Sequence, residues 1–202
     1  MSELLCVTNR KLCRGNFPER VETLAVCRPR GIILREKDLP EQEYKTLAFR
    51  VMAVCKARGV SCILHSFVRA ALALDAPALH VPMHILRDMG EGERKHFKVL
   101  GASCHSAEEA REAETLGCTY ITAGHIFSTG CKPGLPPRGL EFLSGVCGAV
   151  SIPVYAIGGI GPDNISAVLA QGAAGVCVMS GAMECADPAA YFAAFERAEG
   201  DR

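Results

Sequence analysis

Short β-type runs alternate with longer helix-type patterns along the whole chain, and this alternation most constrains what it can fold into. The runs are Leu4–Thr8, Gly31–Arg35, Ser61–His65, Ala78–Val81, His96–Ala102, Tyr120–Ala123, Val154–Ile157 and Gly175–Met179. A helix between two strands carries the chain back to the edge where it started, so the next strand runs parallel. Eight such units are what a closed barrel needs, and 202 residues is short beside the roughly 250 typical of one. The expectation is an α/β fold, a single (βα)8 TIM barrel with eight parallel strands, over residues 1–202. An open doubly wound sheet is the competing architecture. It carries a Gly-rich turn after its first strand, where this chain has Thr8-Asn9-Arg10.

The helix signals agree. Across Gln42–Arg58, Tyr44, Leu47, Ala48, Val51, Met52 and Cys55 recur close to i, i+3, i+4, i+7. Ser106 with Glu109 three residues on reads as a capping box, and Gly117 as the glycine that ends that helix. Pro162 is expected to open a further helix that Gly172 closes, and Asp187-Pro188 to open the last.

Charge and cysteine usage narrow the partners. Twenty-two basic residues balance twenty-two acidic ones without a basic block, so nucleic acid has no electrostatic support. No apolar run approaches the roughly 20 residues of a membrane span, and Leu4-Leu5-Cys6-Val7 is too short for a secretory signal. A soluble cytoplasmic protein is expected, and a homodimer stays open because no apolar stripe stands out. Eleven cysteines, an odd number without any C-x-x-C pair, read as small buried hydrophobes, with Cys131 on a loop as the exception.

Two late turns carry the first functional signal. Val154–Ile157 runs into Gly158-Gly159, and Gly175–Met179 runs into Ser180-Gly181. Glycine lets a backbone approach a ligand closely, and N–H groups at such turns point at an anion. Barrels commonly hold a phosphate between the loops after strands seven and eight. Gly158, Gly159, Ser180 and Gly181 are therefore the expected phosphate site, with a plain tight turn as the alternative for each.

Between Gly101 and Met183 the chain resembles the thiamin phosphate synthase superfamily, and within it the TenI-like thiazole tautomerases. The resemblance rests on the segment Gly101–Ala110, on Gly124-His-Ile-Phe-Ser-Thr-Gly-Cys-Lys-Pro-Gly134 and on Arg138-Gly139-Leu140. Ile152-Pro-Val-Tyr-Ala-Ile-Gly-Gly159, Val178-Met-Ser-Gly181 and, upstream, Gly31-Ile-Ile-Leu-Arg35-Glu36-Lys37 extend it over most of the chain. The resemblance implies one of two chemistries. A synthase joins a pyrimidine pyrophosphate to a thiazole phosphate using Mg²⁺; a tautomerase only moves protons on a thiazole phosphate carboxylate. Where synthases carry Asn-Asp after strand three this chain has His65-Ser66. Their acidic turn near strand four corresponds to Val81-Pro82-Met83-His84, and their second-strand Gln to Ile33. Asp75 and Asp88 lie nearby but end no expected strand.

In place of the synthase Gly-Pro-Ile-Phe stands Gly124-His125-Ile126-Phe127, which matches the tautomerase branch. Imidazole titrates near neutral pH and can take and return a proton. His125 is thus the expected catalytic acid and base of an isomerase, a thiazole tautomerase acting on a small phosphorylated thiazole. No cofactor and no metal are expected, with Mg²⁺ needed only under the synthase alternative; a non-catalytic thiazole-phosphate-binding regulator is the second alternative. Arg35, Lys37, Ser103, His105 and Lys132 are further candidates for substrate binding. His65 and His84 lack a third ligand at a metal-binding spacing.

Overall fold

In the computed structural model, residues 3–131 and 134–200 are described. Eight strands close into one parallel barrel in sequence order, so each strand pairs with its chain neighbours and the last with the first. They are β1 (Glu3–Val7), β2 (Gly31–Leu34), β3 (Ser61–His65), β4 (Ala78–Pro82), β5 (Val99–Cys104), β6 (Tyr120–Gly124), β7 (Val154–Ile157) and β8 (Gly175–Val178). The principal outer helices are α1 (Phe17–Val26), α2 (Glu41–Arg58), α3 (Val68–Ala73), α4 (Met83–Asp88) and α5 (Glu91–His96). They continue with α6 (Ala107–Thr115), α7 (Gly139–Cys147), α8 (Ile165–Leu169), α9 (Ser180–Glu184) and α10 (Pro188–Gly200).

Side chains alternate across each strand, so every second residue points into the barrel and the others pack under the helices. The inner set is small and includes Leu5, Val7, Ile33, Ile63, Ala78, Tyr120, Tyr155 and Cys177. The outer set is larger and joins strand residues such as Ile32, Leu64, Leu79 and Ile121 to Leu24, Tyr44, Val51, Leu86 and Leu143 of the helices. Most of the hydrophobic stabilisation therefore lies between sheet and helices, as the helical apolar stripes require.

Tyr44 illustrates how a stripe residue also fixes the strands. Its ring is buried and stacks on Phe67. Its hydroxyl donates to the Leu34 carbonyl at 2.8 Å and accepts the His65 N–H at 2.8 Å. One helix side chain thereby satisfies backbone groups on β2 and β3 just where the loops begin.

Some local expectations change. His96 closes α5, so β5 starts later than the sequence suggests; the basic residues Arg94, Lys95 and His96 suit a helix C-terminus. Pro162 lies in a turn ahead of α8, whose first backbone bonds return to the Gly161 carbonyl. Ser106 caps α6 by accepting the Glu109 N–H, but Glu109 takes the N–H of His105 and not that of Ser106, so only half the capping box forms. The expected turn Val81-Pro82-Met83-His84 is instead the last two residues of β4 followed directly by the first two of α4.

Candidate active site at the barrel mouth

At the C-terminal end of the barrel the inward-facing layer turns polar. His65 ends β3, His80 lies on β4, Ser103 on β5 and Thr122 on β6. The two imidazoles stack at 5.6 Å between ring centroids. His80 places Nδ1 2.9 Å from the Tyr120 hydroxyl and Nε2 2.8 Å from Ser103 Oγ. Thr122 Oγ1 lies 3.4 Å from the same Ser103 oxygen. His65 Nδ1 is 2.7 Å from Ser66 Oγ.

Burial decides the charge of this floor. Both histidines are almost fully enclosed, and desolvation disfavours the imidazolium. It lowers the His80 pKa to about 3, with the Lys37 charge adding to the effect. His65 is likewise held well below the usual range, first by burial and then by His80, Lys37 and Arg35. The floor is thus neutral at physiological pH and offers hydrogen bonds, and the positive charge of the mouth comes from β2's exit.

That exit is built around a buried carboxylate. Glu36, 2% exposed, accepts from Thr8 Oγ1 at 2.7 Å and from the Arg10 N–H at 3.1 Å, and pairs with the Arg10 guanidinium. Thr8 Oγ1 also accepts the Arg35 N–H at 3.0 Å. Asp38 pairs with Arg10 and Lys11, and their hydrogen bonds hold its carboxyl well below the usual range. Arg35, half-buried, follows Ile33 by two residues and so continues the inward face. Among the described residues Arg35 forms no ion pair, whereas Glu36 and Asp38 draw their counter-charge from the β1 loop. Lys37 is exposed.

The residues singled out from sequence fall into three places. Arg35 and Ser103 belong to the mouth. His125, 6% exposed, sits in the loop after β6 with Nε2 3.3 Å from the Leu135 carbonyl. It lines a cavity of about 440 Å³ with His105, Leu135, Pro136, Pro137 and Arg138, between the loops after β5 and β6. Its Nδ1 is buried without a partner among the described residues. His105, at the exit of β5, directs Nδ1 to the Gly124 carbonyl at 3.0 Å. Lys132 lies outside the described residues.

The third place is the pair of turns. Gly158 and Gly159 have φ of 104° and 67°, a region that favours glycine. A Cβ on Gly158 would lie 2.4 Å from the His125 Cβ, and one on Gly159 2.5 Å from the Ser128 carbonyl. The β6 loop thus requires both glycines whatever ligand is bound. Ser180 and Gly181 are the first residues of α9, where N–H groups have no intrahelical acceptor.

His80 escaped the sequence reading because it lies inside an apolar run. The signal was there: in Ala78–Pro82 it shares the inward face with Ala78 and Pro82. Gly101 is its companion, since a Cβ there would lie 2.2 Å from the Tyr120 ring and 2.6 Å from His80 Nδ1. His84, by contrast, is exposed on α4 and takes no part in the mouth.

Comparison with known proteins now decides the family. The family model described as thiamine monophosphate synthase matches residues 4–182, nearly the entire barrel. The chain belongs to that family. It is 39% identical over 166 residues to the thiamine-phosphate synthase of Moorella thermoacetica, covering 79% of this chain and 77% of that one. It is 34% identical over 191 residues to the thiamine-phosphate synthase of Syntrophomonas wolfei, covering 91% and 90%. In three dimensions it resembles thiamine phosphate pyrophosphorylase from Pyrococcus furiosus, with a TM-score of 0.84, 29% identity and coverage of 98% and 96%.

These relatives overturn the expected isomerase. Family members at 34–39% identity carry the name of a transferase, and the match runs through the segments on which a tautomerase was read. That choice of reaction rested on His125 and on the acids missing at His65-Ser66 and His84. His125 lies against the β6–α7 loop, in a cavity lined by neither Arg35 nor Ser103.

Proposed function

We propose that this chain is a thiamine-phosphate synthase, a transferase that joins a pyrimidine bearing a pyrophosphate to a thiazole phosphate. The observation that carries the reading is the identity of 34–39% to synthases across 79–91% of the chain. The barrel mouth fits the substrates. The thiazole nitrogen lone pair would form the new C–N bond to the pyrimidine methylene carbon. The C–O bond to the pyrophosphate breaks, and its electron pair leaves with the pyrophosphate oxygen. No net proton or redox change is involved, so binding, orientation and charge stabilisation are the protein's tasks.

Each part of the mouth supports one of these tasks. Arg35 offers a planar guanidinium suited to two phosphate oxygens, with Lys37 as a second cation. The turns at Gly158-Gly159 and Ser180-Gly181 would hold the thiazole phosphate through backbone N–H groups. Ser103, oriented by His80 and half-buried, presents a hydroxyl to the heterocycle. The neutral imidazole floor adds no charge that would compete with Arg35 for the leaving group.

Magnesium, which the resemblance implies for synthases, does not fit the side chains at the ends of β3 and β4. They are an imidazole, a hydroxyl and a thioether, whereas Mg²⁺ is bound through oxygen ligands, chiefly carboxylates. No step is therefore routed through it. The test is a two-substrate assay with product detection by chromatography. Thiamin phosphate should form, and Arg35→Ala should reduce kcat/KM by at least about tenfold, roughly one charge-assisted hydrogen bond. Absence of product with both substrates bound would refute the reading.

A further inference from the structure

Three polar hydrogens are enclosed beneath the barrel mouth, on Tyr120, Thr122 and His80, and each has one acceptor within reach. Tyr120 is buried, and burial keeps its hydroxyl protonated. Among the described residues that hydroxyl meets a single polar atom, His80 Nδ1 at 2.9 Å. Its hydrogen therefore goes to Nδ1, since a buried O–H left without an acceptor costs the desolvation of the group. Thr122 is buried as well, and its hydroxyl donates to Ser103 Oγ at 3.4 Å. His80 carries one ring hydrogen, because enclosure keeps the imidazole neutral. With Nδ1 already an acceptor, that hydrogen stands on Nε2 and is donated to Ser103 Oγ at 2.8 Å.

Ser103 Oγ thus receives two hydrogen bonds, which fill the lone pairs of a hydroxyl oxygen. Every enclosed donor is spent, and the hydrogen of Ser103 itself is left over. Of the four residues only Ser103 is not fully buried, so this hydrogen stands on the open side. The packing is arranged around the same chain of bonds. A Cβ at position 101 would stand 2.2 Å from the Tyr120 ring and 2.6 Å from His80 Nδ1, so the bare Gly101 backbone lets the phenol reach the imidazole. Tyr155 meets the Tyr120 ring edge-on at 5.7 Å, and His65 covers the His80 ring at 5.6 Å. Both members of the pair are held from a second side.

We infer that His80, fixed as the Nε2–H tautomer by Tyr120, is a positioning residue that makes Ser103 a hydrogen-bond donor toward the substrate. The inference deepens the transferase reading and rests on it for the identity of the ligand. The group selected is a lone-pair acceptor, a pyrimidine nitrogen or a phosphate oxygen. An N–H or O–H in its place would face the Ser103 hydrogen and not a lone pair. The opposite tautomer would reverse the polarity of Ser103, and it would leave the Tyr120 hydrogen without an acceptor among the described residues.

The tautomer can be read in the full chain labelled with ¹⁵N-histidine, where long-range ¹H–¹⁵N correlation separates the two neutral forms and His80→Gln assigns the signal. The Nε2–H form is expected in the parent. Tyr120→Phe, which keeps the ring and removes the hydroxyl, should shift the signal toward a mixture of forms. Titration calorimetry with the pyrimidine pyrophosphate alone, which cannot turn over, reads the consequence. Ser103→Ala and Tyr120→Phe should each weaken binding by about three- to tenfold, the worth of one neutral hydrogen bond. The double variant should lose no more than Ser103→Ala alone, because Tyr120 acts through that hydroxyl. The same loss with the pyrimidine alcohol lacking phosphate would put the acceptor on the ring, and a loss confined to the pyrophosphate would put it on a phosphate oxygen. An Nδ1–H signal for His80 would overturn the inference. So would additive losses in the double variant, the mark of a Tyr120 that only supports the fold, or a Ser103→Ala variant that binds like the parent. Failure of the two-substrate assay beside the expected binding pattern would remove the transferase reading and leave the Ser103 donor in place.

Discussion

His80 Nε2 lies 2.8 Å from Ser103 Oγ while its other nitrogen meets the Tyr120 hydroxyl, so one imidazole joins β4 to β5 and β6 inside the barrel. The contact sits beside His65, whose ring stacks on His80 at 5.6 Å between centroids. It converts a section of apolar core into a polar floor whose donors and acceptors are internally satisfied.

This floor makes stability depend on pH. The His80 pKa is about 3 in the folded chain against about 6.5 when unfolded, so the unfolded state binds more protons between these values. Stability should therefore be full above about pH 6.5 and fall as pH drops toward 3, by about 1.4 kcal/mol per pH unit for this residue. Urea denaturation between pH 4 and pH 7, taken as approximate working limits, should show a slope reduced by about one proton in His80→Gln. An unchanged slope would mean that His80 is already protonated in the fold.

Gly101→Ala should destabilise the barrel. The added methyl would stand 2.2 Å from the Tyr120 ring and 2.6 Å from His80 Nδ1, in a core without room to relax. Overpacking of this kind costs about 1–3 kcal/mol. The loss should appear in the urea midpoint, and Tyr120→Leu in the same background should recover part of it.

Glu36 and Asp38 should respond very differently to removal. Glu36→Ala strips a buried acceptor from Thr8 and the Arg10 N–H and should cost about 1–3 kcal/mol, the range for leaving a buried donor unsatisfied, since Arg10 keeps its pair with Asp38. Asp38→Asn, at an exposed pair, should leave the denaturation midpoint nearly unchanged in moderate salt. Equal losses for the two variants would contradict the buried-hub account of β2's exit.

Gly158→Ala should disturb the loop after β6 and, through it, the turn proposed for the thiazole phosphate. At φ 104° a methyl is strained, and here it would also meet His125 Cβ at 2.4 Å. A KM for thiazole phosphate raised by at least about tenfold, with kcat less affected, is the expected pattern for lost ground-state binding. Unaltered kinetics would place the phosphate elsewhere.

The sequence by itself determined the barrel and the number of its strands. Period-2 runs separated by amphipathic helices admit a parallel sheet, and the apolar pattern of Gln42–Arg58 becomes the buried side of α2 nearly residue for residue. These are local signals, set by which face of each element must leave water. The Gly158-Gly159 turn was legible for the same reason, since backbone conformation is a local property, whereas the expected turn at Ser180-Gly181 is the first residues of α9. The family was legible too, because its motifs are contiguous. Which reaction to expect was not, and the tautomerase reading from His125 and the missing acids failed.

Only the tertiary structure decided which polar side chains meet. His65, His80, Ser103 and Thr122 come from four strands, and nothing in their spacing announces that barrel closure stacks two imidazoles and places a serine against one of them. Closure likewise decided that Glu36 faces Thr8 and Arg10, leaving Arg35 without an acidic partner among the described residues. Charge state and pairing depend on burial and on neighbours distant in sequence. Those quantities exist only once the eight strands have closed.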